Sequence, residues 1–184
     1  MDTTANSSKP INVALQGGGS HGAFSWGVLD ALLEDGRLDI VAISGTSAGA
    51  MNAVALADGW SRGGREGARE RLESFWRAVG YVGRFSPVQR MPWDVLWGNW
   101  SVEQTPGFQW FDAVSRMVSP YVANPFGSNP LRDVVRRQID FDRVRSAKGP
   151  KLFVSATNVE TGQLRVFEKA EIDADVVMAS ACLP

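Results

Sequence analysis

The first sixty residues alternate between short apolar runs and stretches with helical spacing, and this order restricts the fold more than any other feature. Residues 11–15 and 39–43 are typical of buried strands, and helices are predicted at 21–35 and 48–58. Because a strand-helix-strand-helix order places parallel strands side by side, the sequence predicts an α/β domain with a mainly parallel sheet and helices on its faces.

The rest of the chain adds further predicted elements, which the glycines, prolines and capping residues delimit. Glycines 36 and 59 are predicted to end the first two helices. The later predictions are a helix at 64–79, long irregular connections with short helices at 80–129, a helix starting at Asn129-Pro130, strands at 151–157 and 163–168, and a last helix starting near Asp173.

A G-x-S-x-G motif, Gly45, Ser47 and Gly49, lies between the second strand and an alanine-rich helix. In a strand-turn-helix elbow, glycines on both sides of the serine remove Cβ atoms that would collide with neighbouring backbone. The turn lifts the hydroxyl clear of the sheet, at the positive end of the following helix. The motif in this context therefore predicts that Ser47 is a catalytic nucleophile.

A glycine loop, Gly17-Gly18-Gly19-Ser20-His21-Gly22, lies between the first strand and the first helix. Successive glycines leave backbone N–H groups able to converge on an anion, which could be a dinucleotide pyrophosphate or the oxyanion of an acyl-transfer intermediate. Gly17, Gly19 and Gly22 match G-x-G-x-x-G, so a dinucleotide-binding domain is one interpretation.

The second strand distinguishes these two ligands. A dinucleotide fold needs an acid at the carboxyl end of that strand, to bind the ribose. Here the strand instead runs into the Ser47 elbow, and Asp39 stands at its beginning. An N–H nest beside a serine at the ends of adjacent strands favours acyl transfer.

A single histidine and a single cysteine limit the chemistry further. Cys182 excludes an intrachain disulfide framework and a multi-thiolate metal site. His21 lies upstream of Ser47 and inside the glycine loop, an order that does not match Ser-Asp-His hydrolases. His21 is therefore interpreted as shaping the loop, and the base is either a carboxylate or a residue beyond position 184.

The balance of 19 Lys+Arg against 20 Asp+Glu argues against nucleic acid as a partner. Segments 62–90 and 132–151 each hold seven basic against three acidic residues. They are interpreted as solvated helix faces, with contact to anionic lipid at a membrane surface as the alternative. Residues 1–10 are expected to be a disordered tail, not a secretory signal, which points to a cytoplasmic protein.

Both motifs together resemble those of the patatin-like phospholipases. The resemblance rests on VALQGGGSHGAFSWGVLDALLE and IVAISGTSAGAMNA, with support from NPLRDVV, VSATNVETGQLRVF and ASACLP. It implies a three-layer α/β/α domain over 1–184 that hydrolyses lipid acyl esters with a Ser-Asp dyad, without a catalytic histidine, a metal or a cofactor. It also implies that Ser47 is the nucleophile, that Gly17, Gly18 and Gly19 form the oxyanion hole, and that the substrate is a lipid or another lipophilic ester.

The dyad aspartate of the family belongs to an Asp-Gly-Gly or Asp-Gly-Ala motif after the segment that resembles ASACLP. The two Asp-Gly pairs of this chain, Asp35-Gly36 and Asp58-Gly59, are followed by Arg37 and Trp60 and do not match that motif, and Asp173 and Asp175 precede that segment. The base is therefore expected outside this chain, which would make the chain a C-terminally truncated fragment. The alternative is an inactive remnant that binds lipid or a partner, and the sequence leaves the oligomeric state open.

Overall fold

The computed structural model describes residues 8–84 and 129–181. Its strands are β1 Lys9–Leu15, β2 Leu38–Gly45, β3 Lys151–Thr157 and β4 Leu164–Glu168. They form one sheet in the order β1-β2-β3-β4. The first three strands are parallel, and β4 is antiparallel to β3. The predicted α/β fold with a mainly parallel sheet is confirmed.

The helices of these residues begin close to the predicted capping residues. They are α1 Gly22–Asp35, α2 Ala48–Gly83, α3 Pro130–Gln138, α4 Phe141–Ser146 and α5 Ala174–Ala181. The Asp173 carboxylate accepts the Val176 N–H at 2.8 Å, which caps α5. Gly36 ends α1 in the left-handed conformation, as predicted.

The second predicted helix continues past Gly59, so the prediction that this glycine ends it is wrong. A Cβ on Gly59 would overlap the carbonyl oxygen of Gly67, because the two halves of α2 pack against each other there. The change of direction comes later, at Gly63 and Gly64, whose backbone angles are not helical. Gly59 therefore serves close packing, a role that its position in the sequence does not reveal.

The first half of α2 forms the centre of the core. Every residue from Ala48 to Gly59 is buried, which explains the small side chains of this segment. The surrounding core is made of Leu29, Leu33, Ile43, Leu72, Phe75, Val135, Leu152, Val154, Ile172 and Val177. Within the described ranges, no helix has both the length and the apolar character needed to cross a membrane.

The chain divides into two compact units, residues 1–77 with 132–184 and residues 78–131. The first unit holds the sheet and the core described above. In the second, α2 continues to Gly83, so the predicted irregular stretch begins later than expected, and residues 85–128 lie outside the described ranges. At the amino end, β1 includes Lys9 and Pro10, which the sequence assigned to a tail; residues 1–7 and Cys182 are also outside those ranges.

The arginines between positions 62 and 77 all take part in ion pairs within the protein. The pairs are Arg62–Asp58, Arg65–Asp39, Arg69–Asp30, Arg71–Asp58 and Arg77–Glu73. Contact with Asp30 raises the pKa of the Arg69 guanidinium. This part of the basic segment 62–90 is thus neutralised internally, which favours the interpretation as solvated helix faces.

Candidate active site

Ser47 stands in the turn between β2 and α2, where its backbone is strained. Its φ angle is 55°, and it is the one non-glycine residue with positive φ in the described part of the chain. Such a conformation costs about 1–3 kcal/mol and persists only where the surroundings enforce it. The predicted strand-turn-helix elbow is therefore present around Ser47.

Both glycines of the G-x-S-x-G motif are needed for packing. A Cβ on Gly49 would overlap the carbonyl oxygen of Leu15, the last residue of β1. A Cβ on Gly45 would lie 2.5 Å from the carbonyl oxygen of Gly49. Gly49 thus allows the elbow to lie against β1, and Gly45 allows the tight turn of the elbow itself; a side chain at either position would prevent these backbone contacts.

The glycine loop lies directly against Ser47. A Cβ on Gly17 would be 3.1 Å from the Ser47 Cβ and 3.8 Å from its Oγ. Among the described residues, no backbone hydrogen bond uses the N–H groups of Gly17 or Gly18. The structure therefore brings the two predicted motifs together, with N–H groups available beside the serine hydroxyl.

Asn52, which the sequence analysis did not single out, connects the glycine loop to α2. Its Nδ2 donates to the Gly22 carbonyl at 2.9 Å, and its Oδ1 accepts the Trp76 indole N–H at 2.7 Å. The Asn52 side chain is fully buried. Since buried polar groups must be paired, this asparagine fixes the end of the loop relative to the elbow helix.

His21 contacts its own loop. Both its Nδ1 and its backbone N–H lie 3.1 Å from the Gly18 carbonyl oxygen, to which the ring N–H donates. This geometry supports the interpretation that His21 shapes the glycine loop.

Three hydroxyl side chains surround the elbow on the side of β3 and α5. Ser180 Oγ accepts the Ser47 backbone N–H at 2.8 Å and donates to the Ser155 carbonyl at 2.6 Å. The Thr46 and Ser155 hydroxyl oxygens are 2.5 Å apart. Ser180 belongs to the ASACLP segment, but its contact spans 133 positions, and no local sequence signal predicts it.

A cleft of about 400 Å³ lies at the carboxyl ends of β1 and β2, next to the elbow. Thr46, which precedes Ser47, forms part of its wall. The lining combines hydroxyl groups with apolar side chains and consists of Ala14, Leu15, Gln16, Ser44, Gly45, Thr46, Phe153, Ser155 and Val166. A cleft of this size and character can hold part of a lipophilic ester.

The acidic residues considered from the sequence lie in other contacts. Asp173 caps α5, Asp175 pairs with Arg132 and Arg136, and Asp39 pairs with Arg65 near the start of β2. Within 8–84 and 129–181, no carboxylate hydrogen-bonds to the Ser47 hydroxyl, and no group of three or more potential metal ligands occurs.

The described carboxyl groups with displaced pKa values stabilise local structure. The Arg143 backbone N–H lowers the pKa of Asp140, which caps α4. The Glu168 backbone N–H, with help from Arg165, lowers the pKa of Glu171. Arg37 lowers the pKa of Asp35 at the end of α1.

Comparison with known proteins assigns the chain to a family. The family model for patatin-like phospholipase matches residues 13–184. No curated protein matches. In the ExoU-SpcU complex from the type III secretion system of Pseudomonas aeruginosa, a similar chain has 20% identity and a TM-score of 0.40, with 94% of this chain and 36% of that chain covered.

A second similar structure is VipD from Legionella pneumophila. It has 17% identity and a TM-score of 0.43, with 92% of this chain and 41% of that chain covered. This chain thus spans less than half of either solved chain. The family match covers both motifs of the site and nearly the whole sequence. The chain accordingly belongs to the patatin-like phospholipases, a family of lipid acyl hydrolases.

Proposed function

We propose that Ser47 is the nucleophile of a serine lipid acyl hydrolase of the phospholipase A or esterase type. The observation that carries this proposal is the strained φ of Ser47 together with the contact of Gly17 on its side chain. A serine held in an elbow beside backbone N–H groups that donate to no described backbone carbonyl has the arrangement that acyl transfer requires.

In the proposed reaction, Ser47 Oγ attacks the acyl carbonyl carbon and forms a tetrahedral intermediate. The N–H groups of Gly17, Gly18 and Gly19 stabilise its oxyanion. The serine proton passes to a general base and then to the leaving alcohol oxygen, as the ester C–O bond breaks. Water then attacks the acyl-serine and releases the fatty acid.

The proposed base is an aspartate of an Asp-Gly-Gly or Asp-Gly-Ala segment that this chain does not include, as the family resemblance implies. His21 is not assigned this role, because its ring N–H is directed at the Gly18 carbonyl oxygen. A Ser-Asp dyad needs no catalytic histidine, which agrees with a sequence whose only histidine is His21.

The cleft next to Thr46 is the proposed binding site for part of the ester. Phe153, Val166 and Ala14 supply apolar surface, and the paired hydroxyls of Thr46 and Ser155 supply polar groups. Burial of a few methylene groups on such a surface contributes about 0.8 kcal/mol each. Hydrolysis and transfer to an alcohol share the acyl-serine, and analysis of the products distinguishes them.

The test is active-site labelling with a fluorophosphonate probe, on the protein together with the segment that carries the proposed aspartate. We expect covalent labelling of the wild type and none of Ser47→Ala. Ser146→Ala is the matched control, because it removes an exposed hydroxyl that bonds only within α4, to Asp142. Absence of labelling in a folded wild-type protein would overturn the proposed hydrolase function.

Lipid binding without hydrolysis is the second candidate, because the cleft next to Thr46 could hold part of a lipid whether or not Ser47 reacts. For this candidate, wild type and Ser47→Ala should both sediment with phosphatidylcholine vesicles, and neither should release fatty acid. Release of fatty acid by the wild type alone excludes it.

A further inference from the structure

Ser180 connects α5 to the backbone of the elbow. Its hydroxyl accepts the Ser47 N–H at 2.8 Å and donates to the Ser155 carbonyl at 2.6 Å. The hydroxyl proton is directed at β3, so a lone pair faces Ser47. Ser180 therefore joins three elements that are far apart in sequence, namely the β2–α2 turn, β3 and α5.

The elbow needs such support because its conformation is strained. Its other backbone bonds run from Thr46 N to Leu15 O at 3.2 Å, from Gly49 N to Thr46 O at 2.9 Å, and from Met51 N to Ser47 O at 3.1 Å. Within the described ranges, Ser180 is the one side chain that bonds to the backbone of the 45–49 motif. It acts at the residue whose φ is positive.

We propose that Ser180 is a positioning residue, which holds the Ser47 backbone so that its hydroxyl faces the glycine loop. This inference rests on the proposed role of Ser47 as nucleophile. Because the Ser47 N–H is occupied by Ser180, it does not contribute to the oxyanion hole, and stabilisation of the oxyanion falls to the glycine loop. Ser180 itself does not touch the substrate.

Loss of the Ser180 hydroxyl leaves the Ser47 N–H without an acceptor in a half-buried environment. The αL conformation then loses one of its restraints, and the nucleophile spends less time in the reactive geometry. Small displacements of a reacting group lower rates by up to about 100-fold. Since ground-state contacts with the ester do not change, kcat should fall while KM stays constant.

The experiment compares four variants of the intact protein: Ser180→Ala, Ser180→Thr, Ser180→Val and the control Ser74→Ala. Threonine and valine have nearly the same shape and differ in the hydroxyl, so they share any steric cost. Ser74 is an exposed serine of α2 whose hydroxyl donates to Gln138, so its replacement also removes one side-chain hydrogen bond. The readouts are kcat and KM for p-nitrophenyl butyrate, the fluorophosphonate labelling rate, and hydrogen exchange of the Ser47 amide.

We expect kcat and the labelling rate to fall about 10- to 100-fold in Ser180→Ala and Ser180→Val, with unchanged KM. Exchange of the Ser47 amide should accelerate in the same two variants. Ser180→Thr should keep both properties close to wild type, and Ser74→Ala should match wild type throughout. If Ser180→Ala does not fold, the threonine and valine pair alone decides.

Two results separate the inference from the proposed function. A labelled wild type with unchanged rates in Ser180→Ala, or with equal losses in the threonine and valine variants, overturns the role of the Ser180 hydroxyl alone. A folded wild type that is not labelled overturns the proposed function of Ser47. If the Ser47 amide of that unlabelled protein still exchanges more slowly than in Ser180→Ala, the contact is purely structural. That result also overturns the proposal that Ser180 positions a nucleophile.

Discussion

The glycines of the candidate site act mainly by having no side chain. Gly49 allows β1 and α2 to approach within backbone contact, Gly45 allows the end of β2 to approach the first turn of α2, and Gly17 lies close to the Ser47 side chain because it has no Cβ. Some side chains stabilise the site by hydrogen-bonding to buried polar groups. Asn52, for example, bonds to the Gly22 carbonyl and to the Trp76 indole N–H. The position of the serine hydroxyl is therefore set chiefly by main-chain geometry.

A pair of glycine-to-alanine variants tests this at the scale of one Cβ atom. Gly49→Ala should destabilise the protein by about 3 kcal/mol and abolish labelling of Ser47, because the methyl group would overlap the Leu15 carbonyl oxygen. Gly27→Ala, in the middle of α1 with open space around it, should stabilise by about 0.5–1 kcal/mol. Urea unfolding of the intact protein measures both, and equal stability of the two variants would contradict the packing argument.

At the scale of elements, α2 ends and bends at other residues than the sequence pattern predicted. Its halves meet at Gly59 and Gly67, while the chain turns at Gly63 and Gly64. Gly64 has φ 60° and ψ −136°, a conformation that side chains rarely adopt.

At Gly64, alanine should cost about 1–3 kcal/mol in free energy of unfolding, even though a Cβ would have open space around it. Gly80→Ala is the matched control, since Gly80 lies in the same helix with ordinary φ, and no described residue comes within 4 Å of an added Cβ there. Its stability should equal or exceed that of wild type. Chemical denaturation checks both values, and a neutral Gly64→Ala would argue against the kinked geometry.

Local patterns in the sequence predicted the elements whose causes are local. Three predicted features are present in the structure, and all depend on neighbouring residues: the cap at Asp173, the end of α1 at Gly36 and the elbow around Ser47. The continuation of α2 past Gly59 and the bond from Ser180 depend on contacts between distant segments, so no single stretch of sequence reveals them. The two motifs of the candidate site were predictable from the sequence. Asn52 and Ser180, which connect these motifs to other elements, were not.

Across the first compact unit, a buried ion network joins segments that are distant in sequence. The Asp58 side chain is fully buried and contacts Arg62 at 3.1 Å and Arg71 at 3.0 Å. Arg71 also donates to the Gln138 carbonyl at 3.1 Å, at the end of α3. One guanidinium therefore links both halves of α2 to α3.

Removal of that link should cost far more than loss of a surface pair. In Arg71→Ala, the buried Asp58 carboxylate keeps only the partly exposed Arg62 as an ion-pair partner among the described residues. We expect the free energy of unfolding to fall by about 3 kcal/mol. Arg77→Ala breaks the exposed pair with Glu73 and should change stability by about 0.5 kcal/mol or less. Thermal and urea unfolding distinguish the two, and a similar small effect for both variants would show that the network does not stabilise the unit.

The strained angle of Ser47 has a consequence for how such a protein evolves. Glycine adopts a φ of 55° without steric cost, whereas serine there costs about 1–3 kcal/mol. Since natural domains are stable by only about 5–15 kcal/mol, selection for folding alone would favour loss of the hydroxyl. The proposed reactivity of Ser47 and the stability of the fold are thus opposed at one backbone angle, and a lineage that did not need the proposed reaction would gain stability by replacing this serine with glycine.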